Sequence, residues 1–224
     1  MKTLYNYIDE GLFVKLTNDD LPIKKIGNKR PYHHVRAAYT QKGKSIEERP
    51  EEAENKEIFG HWELDTVVGK LKTKSALMVM TERSKGIEII RKIESKSQEC
   101  IVRELDKLER KLGTKKFRET FKTITCDNGC ENLDFKGMEK SVLTNIPRTQ
   151  VFYAHPYSAW ERGANECANK LIRRFIPKGT DISKHSKKFI RYIQHWMNHY
   201  PRKKLAWLSP FDASLPLNLS PNLW

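Results

Sequence analysis

HWELDTVVG (residues 61–69), KSALMVMTER (74–83) and GIEIIRKI (86–93) follow one another with only a few residues between them. The first sets β-branched and aromatic residues between glycines, the second is a short continuous apolar run, and the third alternates after a Ser-Lys-Gly turn. Each is strand-like, and three strands joined by tight turns predict an antiparallel meander. Downstream, QECIVRELDKLERKL (98–112) puts Ile101, Leu105, Leu108 and Leu112 on one helical face. FKTITCDNG (121–129) predicts a fourth strand ending in a turn, residues 131–142 a short helix, and TQVFYAHP (149–156) a fifth strand stopped by Pro156. A helix is expected from Trp160 to Phe175, halted by the PKG turn, and a last one over Ser186–His199 with Phe189, Ile193 and Trp196 facing the core. The order βββαβαβαα predicts an α/β protein with a five-stranded mixed sheet flanked by helices.

The sequence before this block has a different character. Met1–Gly11 and the next residue carry Leu4, Tyr5, Ile8 and Leu12 at helical spacing, enough for a short amphipathic helix. Residues 17–55 are rich in Lys, Arg, Glu and Asn, and include the turn DDLP (19–22) and the basic cluster KKIGNKRPYHHVR (24–36). They read as a linker, a solvated tether that can also track a phosphate backbone. Three divisions are therefore expected: 1–55, 56–210 and a tail, 211–224.

Composition narrows the partners. Forty-two Lys and Arg against 28 Asp and Glu leave a net charge of +14 in 224 residues, which points to a polyanion, nucleic acid first. No apolar run approaches the roughly 18 residues of a membrane span, and MKTLYNYIDEG lacks a signal-peptide design, so a soluble intracellular protein is expected. Four cysteines without CxxC spacing fit neither a disulfide scaffold nor a zinc ribbon.

Three carboxylates could carry chemistry. Asp65 lies among Leu64, Val67 and Val68 in the first strand, where an acid needs a cation or hydrogen-bond partner unless it faces water from an edge. Asp127 ends the fourth strand in CDNG, which by itself is ordinary turn chemistry. Glu166, in ERGANECANKLIRR (161–174), taken alone is a solvated helix charge. Adjacent strand ends with a helix packed over them can bring the three together, and hard oxygen ligands without His or Cys suit Mg²⁺ or Mn²⁺. A pair of such ions serves in-line displacement at a phosphodiester. Glu166, Asn169, Lys170 and Arg173 share a helical stripe suited to a phosphate backbone, opposite Ala168, Leu171, Ile172 and Phe175.

The blocks FGHWELDTVVGK (59–70), TITCDNGCENLDF (123–135), YAHPYSAWERGANECANKLIRRFIPKGTDIS (153–183) and NHYPRKKL (198–205) resemble insertion-sequence transposases of the IS-thirty family, which are DDE recombinases with an integrase catalytic core. Gly163, Glu166, Asn169 and Lys170 also resemble the general integrase pattern around its glutamate. The resemblance covers roughly residue 1 to Pro210. It implies a ribonuclease-H-like fold with Asp65, Asp127 and Glu166 as a triad binding two Mg²⁺ or Mn²⁺ ions. It also implies cleavage at transposon ends, joining of 3′-hydroxyls to target DNA, and a homo-oligomer, with no membrane and no small-molecule substrate. Asn128, Arg162, Asn169, Lys170, Arg173, Arg174, Lys178, Arg202 and Lys203 become the expected DNA contacts. Residues 161–204 hold twelve Lys/Arg against three Asp/Glu, so most of the charge surplus lies in this flank.

Rival readings stay beside these. Glu161 competes with Glu166 but precedes the glycine; Glu63 shares a strand face with Asp65 and reads as supporting or solvent-facing. His195 and His199 stand four apart on a helix without a third zinc ligand. Cys126 and Cys130 read as reduced thiols, and Tyr157 and Trp160 as packing residues that could alternatively stack on a base. The resemblance also implies an N-terminal helix-turn-helix, of which residues 1–11 look like the end. Ala206 stands where the family carries glycine, and FDASLPLNLSPNLW (211–224) departs from the family ending. A frameshifted or truncated reading frame is expected from this, and with it an alternative function as a non-catalytic DNA-binding remnant or inhibitor of the full-length transposase.

Overall fold

A computed structural model of the protein describes residues 6–8, 10–13, 15–17, 43–156, 158–217 and 219. The chain divides into two units, 1–38 and 39–224. In the first, Asn6–Ile8 are helical, and the Glu10 and Leu12 N–H groups donate to the Asn6 and Tyr7 carbonyls. The basic cluster 24–36 lies outside the described residues.

The second unit is built on a six-stranded mixed sheet with β1 Lys44–Ser45, β2 His61–Val68, β3 Ala76–Glu82, β4 Glu88–Ile93, β5 Thr123–Cys126 and β6 Gln150–Tyr153. Their spatial order is β1-β6-β5-β2-β3-β4. β2, β3 and β4 form the expected antiparallel meander, while β2–β5, β5–β6 and β6–β1 are parallel. The helices in chain order are α1 Glu51–Glu54, α2 Gln98–Leu112, α3 Thr114–Thr120, α4 Phe135–Glu139, α5 Gly163–Phe175, α6 Lys187–His199 and α7 Pro210–Ser214.

Both faces of the sheet are covered, which explains why ALMVM in β3 is apolar at every position. Met78 and Met80 join Trp62, Leu64, Ile101, Leu105 and Phe117 on one side. Leu77 and Val79 join Val67, Ala168, Ile172, Ile193 and Met197 on the other. The period-two alternation of β2 therefore sends Trp62 and Leu64 toward α2 and leaves Glu63, Asp65 and Val67 for the face covered by α5. Gly69, just after β2, is required by close approach. A Cβ there would stand 2.5 Å from the Thr180 carbonyl oxygen.

The sheet has one strand more than the five expected, and the segment read as linker is shorter at its C-terminal end. Lys44–Ser45 pairs with Phe152–Tyr153, the Arg49 guanidinium donates to Thr125 Oγ1 at 2.9 Å, and Ala53 is fully buried. A two-residue strand is too short to show alternation, and its charged neighbours hide it. At the other end, the tail expected from residue 211 begins inside α7, capped by Ser209 with Asp212.

Candidate active site

Asp65 and Asp127 meet because of strand register. β2 and β5 run parallel with His61 opposite Thr123, Trp62 opposite Ile124 and Glu63 opposite Thr125. Continued by two residues, that register sets Asp65 level with Asp127, just where β5 ends and its ladder with β2 stops. A sheet opens at the carboxyl ends of parallel strands, and polar side chains there can face a ligand. Arg162 bridges the two acids, with Nη2 3.2 Å from Asp127 Oδ2 and Nη1 3.6 Å from Asp65 Oδ1. Its Nη1 also donates to the Leu64 carbonyl at 3.3 Å.

Each carboxylate is held from a second direction. Asn169 Nδ2 donates to Asp65 Oδ2 at 2.5 Å, while Asp127 Oδ1 accepts from the Gly129 N–H at 3.0 Å and from Asn132 Nδ2 at 2.8 Å. The acids are part-exposed, 22% for Asp65 and 39% for Asp127. Two carboxylates that already share one cation, with oxygen as the donor atom throughout, fit a divalent hard metal ion.

Glu166 is not brought to this pair. It sits in the first turn of α5 with its carboxylate 2.8 Å from Lys170 Nζ, one turn on, and both side chains are well exposed. Among the described residues no three His, Cys, Asp or Glu side chains cluster closely enough to hold a metal ion. The expected three-carboxylate cluster is thus two carboxylates and an arginine. Asn169, expected on the DNA, turns to Asp65 instead.

Other expected DNA contacts divide similarly. Arg173 Nη2 donates to the Val68 carbonyl at 2.9 Å, Arg174 lies 5.4 Å over the Trp196 ring, and Arg202 Nη2 donates to the Met197 carbonyl at 3.2 Å. Asn128 Nδ2 donates to the Ala154 carbonyl at 2.8 Å, tying the Asp127 turn to the end of β6. Lys178 and Lys203 are exposed.

The rival residues also find places. Glu161 accepts from the His155 N–H at 2.8 Å and faces His155 Nδ1 at the same distance, so it holds the loop before α5 and raises the imidazole pKa. His195 and His199 stack at 3.9 Å, and His199 Nδ1 lies 2.8 Å from the His195 carbonyl. Cys126 is fully buried, and that burial pushes its thiol pKa up, as expected of an inert thiol. Trp160 is exposed, not packed; Tyr157 lies outside the described residues.

Glu63 was legible only as supporting or solvent-facing, and the solvent-facing reading is wrong. Its carboxylate is 2% exposed, accepts from the Asn165 N–H at 2.9 Å and stands 3.2 Å from Arg83 Nε. Burial pushes its pKa up against the lowering by that N–H and Arg83. Arg162 was included among DNA contacts, and nothing in its spacing signalled that it would bridge the aspartates.

The architecture is a ribonuclease-H-like fold. It is similar to a chain of the simian T-cell lymphotropic virus intasome in complex with PP2A regulatory subunit B56 gamma, with TM-score 0.54 and 13% identity over 86% of this chain and 63% of that one. By sequence the chain is homologous to transposases of IS30-type insertion sequences. It is 36% identical over 210 residues to a probable transposase of insertion-like sequence element IS1161 from Streptococcus salivarius, covering 90% of this chain and 54% of that protein. It is 36% identical over 165 residues to the transposase of IS4351 from Bacteroides fragilis, covering 74% and 47%, and 30% identical over 172 residues to transposase InsI of IS30C from Escherichia coli K12, covering 75% and 41%. The chain spans about half the length of these curated relatives. No protein-family model matches it. Among the described residues no helix is long and apolar enough to cross a membrane.

Proposed function

We propose that the chain carries the catalytic centre of a DNA transposase, cutting DNA and joining 3′-hydroxyls to a target by metal-dependent phosphodiester chemistry. The observation that carries this reading is the convergence of Asp65 and Asp127 on one cation at the carboxyl ends of adjacent parallel strands. Asp65 and Asp127 would hold Mg²⁺ or Mn²⁺, and Glu166, released from Lys170, would complete the ligand set for two such ions. Bound there, such ions supply activation of a water or 3′-hydroxyl and charge stabilisation at the leaving oxygen.

The chain's own groups orient and neutralise. Asn169 fixes the Asp65 carboxylate, Asn132 and the Gly129 N–H fix that of Asp127, and Arg162 with Lys170 offers positive charge to the phosphate. Lys178 and Lys203 hold DNA alongside, in the bacterial cytoplasm at the nucleoid. Transposon ends and target DNA are the partners, and the working form is a homo-oligomer.

The exposed position of Glu166, apart from the aspartates, favours a second reading as a DNA binder that does not cleave, or an inhibitor of a full-length transposase. One assay separates the two. Purified chain and Asp127→Asn are incubated with supercoiled plasmid and a 3′-hydroxyl duplex in Mg²⁺ or Mn²⁺. Nicking or joining by the parent chain that disappears with Asp127→Asn supports the catalytic reading. Equal activity of the two refutes the assignment of Asp127, and binding without nicking by either supports the second reading.

A further inference from the structure

The helix that carries Glu166 has no side-chain N-cap of its own. Arg162 occupies the capping position and makes no capping bond. The first N–H groups of a helix have no partner within it, and a buried one needs an acceptor from elsewhere. Glu63 supplies it across the domain, its Oε2 accepting from the Asn165 N–H at 2.9 Å, with a negative charge at the favourable end of the helix. Its other oxygen faces Arg83 Nε at 3.2 Å, and Arg83 is itself buried, donating to the Ala53 carbonyl.

Two further ties run along the same line. Asn169 Nδ2 reaches Asp65 Oδ2, and Arg173 Nη2 reaches the Val68 carbonyl. Helix positions 165, 169 and 173 thus meet strand positions 63, 65 and 68. The spacing is physically matched. Two residues of strand rise about 6.6 Å and four residues of helix about 6 Å. A bond at 63–165 and another at 65–169 can therefore form together at only one sliding position of α5 along β2.

Resting on the transposase reading, we propose that Glu63 is a positioning residue that fixes the register of α5 against β2, and so sets where Glu166 stands relative to Asp65. It touches no reacting group and acts through the Asn165 N–H. The neighbouring Asn169–Asp65 bond is the second rung of the same lock.

The test uses the full chain with Glu63→Ala, Glu63→Gln and Asn169→Ala. Glu63→Gln keeps an oxygen acceptor for the Asn165 N–H and removes the charge. Hydrogen exchange is read at residues 163–169 together with DNA affinity and the rate constant for Mn²⁺-dependent nicking. Glu63→Ala should lose amide protection at the start of α5 and slow nicking about a hundredfold, the cost expected of an ångström-scale misplacement. DNA Kd should stay within about twofold, since no binding group is removed. Glu63→Gln should restore both protection and rate to within about fivefold, and Glu63→Ala with Asn169→Ala should cost less than the product of the single effects.

Wild-type protection and rate in Glu63→Ala overturn the proposal. So does loss of rate in Glu63→Gln equal to that in Glu63→Ala, because a merely structural buried charge pair is broken by both. If Glu63→Ala does not fold, Glu63→Gln alone decides by the same criterion on exchange and rate. Should the parent chain itself not nick, the transposase reading fails. The exchange measurement then still decides whether Glu63 holds the helix.

Discussion

Glu88 is a buried acid that forms no ion pair among the described residues, and replacing it with Gln should change how stability depends on pH. It opens β4 and is 1% exposed, with Thr81 Oγ1 donating to its Oε2 at 2.7 Å. Burial raises its pKa from 4.5 to about 8; the Thr81 hydroxyl and the more distant Arg202 and Lys204 lower it, while Glu63 raises it further. An acid whose folded pKa is raised stays protonated in the fold after the unfolded chain has ionised. Its stabilising contribution is complete below pH 4.5 and is lost as pH rises through 8. At about 1.4 kcal/mol per unit the loss is about 5 kcal/mol across that window, most of it already incurred at pH 7. Urea unfolding of the parent chain and Glu88→Gln between pH 5 and 8 reads this directly. The stability difference in favour of Gln should grow by about 1.4 kcal/mol per pH unit. Any constant penalty from the new amide N–H₂ shifts that line without changing its slope. Burial also raises Glu63 and Glu82, but they are present in both proteins and cancel. A difference that stays flat within about 0.5 kcal/mol from pH 5 to 8 refutes the reasoning.

Two further outcomes concern the edge of the sheet and the exposed lysines. Gln194 Oε1 accepts from the Ile90 N–H at 2.8 Å, while Asn198 accepts from the Glu88 N–H at 2.8 Å and donates to the Glu88 carbonyl at 2.9 Å, covering the outer edge of β4. Gln194→Ala with Asn198→Ala should lower stability by about 1–3 kcal/mol per orphaned group and promote edge-to-edge association, read by denaturant titration and light scattering; an unchanged midpoint and a monodisperse sample count against it. Lys178→Glu and Lys203→Glu should each weaken DNA binding across unrelated sequences and reduce the log–log salt slope by about one, measured by fluorescence anisotropy. An unchanged slope removes that lysine from the interface.

Periodicity and register explain which parts of this structure were legible. The meander showed because each of its strands is long enough to display a period of two or a continuous apolar run between turn residues. Asp65 and Asp127 could be singled out as an acid inside an apolar strand and an acid at a strand end. Their meeting depends on a pairing offset that no local pattern encodes. Part of the basic charge that pointed to a polyanion is internal. Arg49, Arg83 and Arg148 are buried, with Arg148 between Asp106 at 2.6 Å and Glu109 at 3.3 Å while donating to the Met138 and Gly137 carbonyls. Such arginines look identical to phosphate-binding ones until their partners, remote in sequence, are brought beside them.

The same limit explains Glu166. A helical stripe gives the angles between residues but not the rotation of the helix about its axis. At 100° per residue, Asn169 stands 60° from Glu166 on the side nearer Asn165, Ala168 and Ile172, which are buried. The bonds from Glu63 to the Asn165 N–H, Asn169 to Asp65 and Arg173 to the Val68 carbonyl set that rotation, and they select Asn169 for the strand. Glu166 is left one angular step outside, paired among the described residues with Lys170 in an exposed ion pair that salt screens. The arginine between the aspartates and the lysine beside Glu166 thus occupy the carboxylates that the proposed metal ions would need.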